Sequence, residues 1–121
     1  DRARTGEVDR RNKNTYRREG FMHFIIVNTD KDDGIELRNQ TREVHLDYLR
    51  GHGKDVKLHL AGPTPSEDGS RVTGSLIVVE TDDIEKVRDF AADDPYSLAG
   101  LFTKVEIRPW NWTFGNPEGG H

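Results

Sequence analysis

Two ionisable residues, His45 and Asp94, have the types and surroundings that a proton-transfer pair requires. Histidine is the usual general acid or base at neutral pH, and a carboxylate bonded to one ring nitrogen fixes its tautomer and stabilises the imidazolium. Each residue also has a purely structural interpretation. A histidine beside a buried helical stripe is more often a hydrogen-bonded core residue, and Asp before Pro95 is a favoured helix N-cap. Asp94 can serve both purposes if one oxygen caps and the other faces His45.

Four further residues are candidates for contacts with a substrate. Arg38 and Arg42 precede His45 by seven and three positions, so all three share one helical face. Either arginine could hold an anionic oxygen, although ion pairs with neighbouring acids are the commoner fate of such residues. Ser75 could donate a hydrogen bond or could simply permit close packing beside a glycine. Tyr96 could line a pocket or pack in the core.

The histidine pattern predicts neither a metal site nor a cofactor. The histidines before residue 60 form no H-x3-H or HExxH pair, and the chain contains no cysteine; they are His23, His45, His52 and His59. A glycine-rich phosphate loop and a nucleophile-elbow motif are also missing from the sequence. The sequence therefore favours proton transfer without a cofactor.

Hydrophobic periodicity predicts six elements that would position these residues. Alternating or β-branched runs predict strands, and amphipathic runs predict helices: strands 22–28, 55–64, 71–81 and 104–114, with helices 34–50 and 81–94. Residues 29–34 are predicted to form a loop. Thr81 or Asp82 is the expected N-cap of the second helix. The order β-α-β-β-α-β predicts an α+β, ferredoxin-like fold, a four-stranded antiparallel sheet with both helices on one face.

Two patterns predict which side chains face the core. The first helix carries a stripe of Leu37, Thr41, Val44, Tyr48 and Leu49. The second strand alternates, with Val56, Leu58 and Leu60 expected inward and Lys57 and His59 outward.

The strands carry apolar residues on both faces, so the face away from the helices needs a cover. We expect a second copy of the chain to supply it, giving a homodimer. Trp110 and Trp112, at the end of the last strand, are expected at that interface rather than at a ligand.

Length and charge narrow the class of protein. A chain of 121 residues predicts one domain, which we expect over residues 22–115, with a basic extension at 1–21 and a tail at 116–121. The extension has seven basic and four acidic residues, a net charge of +3, so the rest carries −7 of the total of −4. An acidic body argues against nucleic acid as a partner. The sequence has no long apolar run or signal peptide, which argues against a membrane, and the lack of cysteine fits the cytoplasm.

Several motifs resemble the YciI-like (YCII-related domain) family: "RNQTREVHLDYL", "LAGPT", "GSLIVVE" and "ADDPYSLAGLFTKVEIRPWNW". The resemblance covers residues 22 to about 115. It implies a dimeric α/β barrel similar to muconolactone isomerase, with a pocket lined by a histidine–aspartate pair, here His45 and Asp94. One branch of the family contains a dehydrochlorinase of a chlorinated hydroxyquinol. Related barrels that bind haem leave axial ligation by His45 as a minor alternative.

These observations lead to two hypotheses of different classes. The first is a cofactor-independent lyase or isomerase that transfers a proton next to a carbonyl or phenol, with His45 as acid or base and Asp94 orienting it. The second is a non-catalytic module that binds a small ligand in the same pocket. Both need a polar pair in an apolar cleft, so the sequence does not separate them.

Overall fold

A computed structural model describes residues 20–118. Its elements follow the chain in this order: β1 (Met22–Asp30), α1 (Ile35–Gly51), β2 (Lys57–Pro65), β3 (Val72–Thr81), α2 (Ile84–Ala92), α3 (Pro95–Leu98) and β4 (Phe102–Trp110). The predicted N-terminal extension lies outside the described residues except for its last two positions. Within residues 20–118, no helix is long and apolar enough to span a membrane.

The four strands form one antiparallel sheet in the order β2-β3-β1-β4. This arrangement confirms the ferredoxin-like α+β fold. The central strands β1 and β3 are the most apolar, because they are flanked on both sides. The edge strands carry the prolines, Pro63 and Pro65 in β2 and Pro109 in β4, where a missing N–H costs least.

The core lies between one face of the sheet, here called the helix face, and the helices α1 and α2. Phe24 and Ile26 of β1 lie opposite Val79 and Ile77 of β3, and all four are buried. Phe90 of α2 is fully buried against them, together with Val87. The opposite face, here called the open face, carries His23, Ile25 and Val27 of β1 and Leu76, Val78 and Glu80 of β3.

The N-cap expected for α2 is displaced. Asp83, in extended conformation, caps the helix by accepting from the N–H of Glu85. Thr81 instead belongs to β3, where its buried hydroxyl donates to the carbonyl of Asp55. Asp82 forms an ion pair with Lys86.

The inner side of α1 is more polar than the predicted stripe. Arg38 and His45 are the buried residues of this helix, whereas Val44 is 58% exposed. Tyr48 and Leu49 do pack against the core. The prediction for Val44 was wrong because the helix turns its arginine–histidine face toward the sheet, and this rotation carries Val44 outward.

Strand β2 departs from strict alternation. Its pairing with β3 shifts between Leu58 and Leu60, so that His59 is an extra residue in the ladder, as in a β-bulge. Leu58 packs with the core as predicted, but Leu60 is 52% exposed and the His59 side chain is only 8% exposed. The bulge therefore leaves His59 on the open face, as alternation predicts, and turns Leu60 to the open face as well, against the prediction.

Candidate active site

His45 and Asp94 are in direct contact. The Nδ1 atom of His45 lies 2.9 Å from Oδ1 of Asp94, and both side chains are buried. An ionised carboxylate only accepts hydrogen bonds, so Nδ1 carries the proton and donates it. This tautomer leaves the lone pair on Nε2, which is the nitrogen able to take a proton from a bound molecule.

Asp94 occupies its position because it also begins a helix. Its Oδ1 accepts from the N–H of Tyr96 at 2.9 Å, and Pro95 follows as the first residue of α3. Asp94 does cap α3 and contact His45. The prediction that each contact uses a different carboxylate oxygen was wrong. One oxygen, Oδ1, receives both the backbone N–H and the imidazole, so the cap fixes the atom that orients His45.

The rings of Tyr96 and His45 are stacked, with centroids 3.9 Å apart and planes 17° from parallel. The guanidinium carbon of Arg38 lies 4.6 Å from the Tyr96 centroid. Burial raises the pKa of Tyr96, and the nearby positive charges of Arg38 and Arg42 reduce that rise without cancelling it. Tyr96 therefore stays a neutral hydroxyl beside the pair.

Arg38 is held by a buried bidentate ion pair. Its Nε and Nη2 donate to the two carboxylate oxygens of Asp30 at 2.8 and 2.9 Å, and Nη2 also reaches the Gly74 carbonyl at 3.2 Å. Burial acts to lower the pKa of Arg38, but the bonds and charge of Asp30 outweigh it and the pKa is raised. Because Asp30 neutralises this guanidinium, Arg38 is a fixed wall residue rather than a free anion ligand.

Arg42 has the opposite character. Its side chain is 60% exposed and makes a loose ion pair with the exposed Glu43, with Nη1 and Oε2 3.8 Å apart. Arg42 is thus the arginine of the two that can turn toward an anionic ligand.

Ser75 is fixed by Asn28, whose amide donates to Oγ at 2.9 Å. A Cβ on the neighbouring Gly74 would lie 1.9 Å from the Asn28 carbonyl oxygen, so glycine is required for this close approach. The close packing that the sequence suggested for Ser75 therefore depends on its neighbour Gly74. Because Oγ of Ser75 accepts from Asn28, its own proton remains available to a ligand.

A cavity of about 260 Å³ lies between α1, β2, β3 and α3. Five of the six predicted site residues line it, and Asp94 lies behind His45. Its lining comprises Arg38, Arg42, His45, Leu46, Leu49, Ala61, Gly62, Pro63, Ser75, Ile77 and Tyr96. Polar groups converge from α1 and β3 onto an otherwise apolar cleft, which is typical of small-ligand sites.

Sequence reasoning missed Asn28, at the end of the predicted strand 22–28, and Asp30, which fell in the predicted loop 29–34. The strand nevertheless continues to Asp30. The period of two that places Phe24 and Ile26 inward also places Asn28 and Asp30 on the helix face, near the start of α1. Extending that alternation beyond residue 28 would have predicted that both side chains face the helices.

Residues 22–111 match the family model of the YCII-related domain. The chain is 32% identical over 98 residues to Protein YciI of Escherichia coli, and the alignment covers 77% of this chain and all of YciI. An uncharacterised protein of Haemophilus influenzae is 31% identical over 98 residues, with the same coverage of this chain and full coverage of the relative.

A solved structure with a similar fold is the 5-chloro-2-hydroxyhydroquinone dehydrochlorinase TftG of Burkholderia phenoliruptrix, in complex with 2,5-dihydroxybenzoquinone. The TM-score is 0.64 at 28% sequence identity, and the match covers 74% of this chain and 94% of TftG.

Proposed function

Because the chain belongs to the YCII-related domain family, we propose that it is an enzyme that moves a proton on a small oxygenated organic molecule. His45 is its acid or base and Asp94 its orienting carboxylate. The observation that carries the proposal is the 2.9 Å contact between His45 Nδ1 and Asp94 Oδ1 at the wall of a cavity. A lyase, isomerase or dehydrochlorinase reaction would use this arrangement.

The cavity supports a substrate of about one ring. Its volume of about 260 Å³ is below the roughly 300–1,000 Å³ of sites for drug-sized ligands. TftG, a relative in structure and sequence, binds a single-ring quinone. A hydroxylated or carbonyl-bearing ring fits the polar groups that line this cavity.

The chemistry follows from the charges. Nε2 of His45 takes a proton from an O–H or an acidic C–H, and the electrons of that bond move into the substrate. In an isomerase, the imidazolium returns the proton at another atom. In a dehydrochlorinase, chloride leaves with the electron pair of the carbon–chlorine bond. Asp94 stabilises the imidazolium in both cases, and such general acid–base catalysis contributes about 10²–10⁴ in rate.

Two groups can stabilise the oxyanion that forms on the substrate. Arg42 supplies a positive charge at the exposed side of the cavity, and Ser75 supplies a hydroxyl fixed by Asn28. Tyr96 lines the cavity with its ring stacked on His45. No metal or other cofactor is required in this scheme.

The test is turnover of 5-chloro-2-hydroxyhydroquinone and of small lactones by the wild-type chain and by His45→Ala. We expect chloride release or isomerisation of the lactone by the wild type, and a rate at least about 10²-fold lower for the variant. His52→Gln, on the C-terminal side of the same helix and outside the cavity lining, is the matched control. Binding of 2,5-dihydroxybenzoquinone without any turnover would favour the ligand-binding module instead.

We also propose that two copies pair through the open face to form the dimeric α/β barrel. The support is the apolar surface there, where Leu60 and Leu76 are 52% and 42% exposed. Sedimentation at micromolar concentration should give twice the mass of the chain. A monomer would contradict the dimer and leave the chemistry of His45 untouched.

A further inference from the structure

The open face carries a second cluster of histidine and carboxylate side chains. His23 of β1 and Glu80 of β3 lie directly opposite each other across the two central strands. His59 reaches them from the neighbouring edge strand β2. Three strands thus place one potential metal ligand each at the same point.

The donor atoms of this cluster converge. Nε2 of His59 lies 2.9 Å from Oε1 of Glu80, and Nε2 of His23 lies 3.9 Å from the same oxygen. One ligand atom from each residue lies within 4.8 Å of the other two. Two donors bound to a tetrahedral ion at about 2.0–2.1 Å are about 3.4 Å apart, which falls between the two measured contacts.

The bulge in β2 lies at this cluster. Leu58 faces the core, so the next residue, His59, lies on the open face, where its ring contacts Glu80. The bulge also turns Leu60 to the open face. Bulges are over-represented next to functional sites.

Aromatic rings enclose the cluster. The indole of Trp112 contacts the imidazoles of both His23 and His59 edge-on, with centroids 5.4 Å apart in each case. Trp110 stacks on Trp112 and also approaches the His23 ring. The side chains of His23, His59 and Glu80 are 14%, 8% and 9% exposed. These contacts restrict both imidazoles, and a preorganised donor set binds a metal more tightly.

We propose that His23, His59 and Glu80 form a binding site for a divalent transition-metal ion, with Zn²⁺ as its first candidate. Two imidazole nitrogens and one carboxylate oxygen suit Zn²⁺ and its first-row neighbours, whereas Mg²⁺ and Ca²⁺ prefer oxygen ligands. Three protein ligands leave a fourth position open to water or to a small ligand.

The charge of the cluster also suits a cation. Two neutral imidazoles and one carboxylate have a net charge of −1, and a divalent ion changes this to +1. The nearest lysine in register with Glu80 is Lys57, and its ammonium pairs with Glu118. A bound ion would link β1, β2 and β3 on the face opposite to the helices.

The test uses the full chain after metal is removed with a chelator. Co²⁺ quenches nearby indole fluorescence, and both tryptophans of the chain are at the cluster. We expect saturable quenching at one Co²⁺ per chain, reversal by Zn²⁺, and no response to Mg²⁺. Zn²⁺ should also raise the melting temperature, because it binds the folded state.

Variants assign the ion to these residues. Glu80→Gln keeps the shape and removes the charged ligand, and His59→Gln removes one nitrogen; each should weaken Co²⁺ binding at least about tenfold. His52→Gln is the control for histidine outside the cluster and should bind as the wild type does. Circular dichroism of the metal-free variants verifies that they are folded, and His23→Gln replaces either one that is not.

Two outcomes overturn the proposal. One is a wild-type chain whose fluorescence shows no saturable response to Co²⁺. The other is equal Co²⁺ affinity in the wild type and in folded Glu80→Gln and His59→Gln. Neither outcome bears on His45, because the site does not depend on the function proposed for the cavity.

Discussion

The two faces of the sheet each carry a histidine bonded to a carboxylate at the same distance of 2.9 Å, yet their surroundings differ. On the helix face, His45 and Asp94 border a cavity, and the second imidazole nitrogen is left for a ligand. On the open face, His59 and Glu80 meet a third donor, His23, under the ring of Trp112. The distance between the imidazole nitrogen and the carboxylate oxygen therefore does not by itself indicate the function of such a pair. The groups that surround the pair decide whether it suits proton transfer or metal binding.

The two sites also differ in how they are built. Asp94 is placed by its own local turn, which caps α3, and Tyr96 of that turn stacks on His45. The open-face cluster has no such local unit, because each ligand comes from a different strand. The helix-face site should therefore depend on local caps and ion pairs, and the open-face site on strand register.

The largest expected effect on stability concerns the ion pair beneath the cavity. Arg38→Met leaves Asp30 buried without its cation and should lower the free energy of unfolding by about 3–5 kcal/mol. Arg42→Met, one turn further along α1 and exposed, should change it by less than about 0.5 kcal/mol. Urea unfolding followed by tryptophan fluorescence from the open face measures both. Equal losses would mean that Asp30 is not the essential partner of Arg38.

Substitutions of Asp94 separate its cap from its charge. Asp94→Ala removes the acceptor for both N–H groups and should cost about 1–3 kcal/mol. Asp94→Asn keeps a carbonyl oxygen for the Tyr96 N–H, and the same oxygen still faces Nδ1, so stability should change by less than about 0.5 kcal/mol. Turnover should nevertheless fall by about 10²-fold because the imidazolium loses its counter-charge.

The ring nitrogen shifts of His45 in NMR check this interpretation. We expect the proton to stay on Nδ1 in Asp94→Asn, since the amide oxygen remains bound to both donors. A proton found on Nε2 in that variant would show that the amide has reversed, and that Oδ1 is not anchored by the cap.

A smaller effect should appear in alkali, from two tyrosines on the helix side of the sheet. Burial raises the pKa of Tyr48 and of Tyr96, so each binds its proton more tightly when folded. The resulting stabilisation is complete below the ordinary pKa of about 10 and is lost as pH rises beyond it. Tyr48→Phe should remove part of this pH dependence, at a cost of about 1 kcal/mol for the lost bond to the Phe90 carbonyl. Urea unfolding at a series of alkaline pH values measures it; an unchanged slope in Tyr48→Phe would contradict the assignment.

The smallest effect is expected at a carboxylate that belongs to neither site. The Ser70 N–H, with the hydroxyls of Ser66 and Ser70, lowers the pKa of Asp68 from 3.8 to about 2. Its contribution is present above the ordinary pKa and is lost as pH falls through about 2. Asp68→Asn should therefore flatten the fall of melting temperature between about pH 4 and 2. If Glu67→Gln, a change at the neighbouring exposed residue, flattened the curve equally, the effect would not be due to the hydrogen bonds of Asp68.

Much of the fold was predictable because its signals are local. The order of strands and helices followed from the periodicity of the hydrophobic residues. The errors arose where tertiary packing overrode a local pattern. Val44 fitted a helical stripe in the sequence. In the structure the polar face of α1 faces the sheet instead, because Arg38 pairs with Asp30 and His45 pairs with Asp94 on that side.

The candidate site was predictable to a similar extent. The motifs around His45 and Asp94 identified the pair, and five predicted residues line one cavity. Their roles as catalytic or ligand-binding groups stay predictions. Asp30 was missed because an aspartate before a loop is ordinary in sequence, and only its contact with Arg38 shows that it is a buried partner.

The sequence is enough to predict the β-α-β-β-α-β order, the family and the Asp94–Pro95 cap, because each depends on residues close together in the chain. Tertiary structure alone decided that one oxygen of Asp94 serves both the cap and His45, and that Asp30 neutralises Arg38. It also decided that His23, His59 and Glu80 meet, although 21 or more positions separate any two of them. The physical reason is strand register. The pairing of β1, β2 and β3 brings these three residues to one place on the open face, and that register is set by the packing of the whole sheet rather than by neighbouring residues.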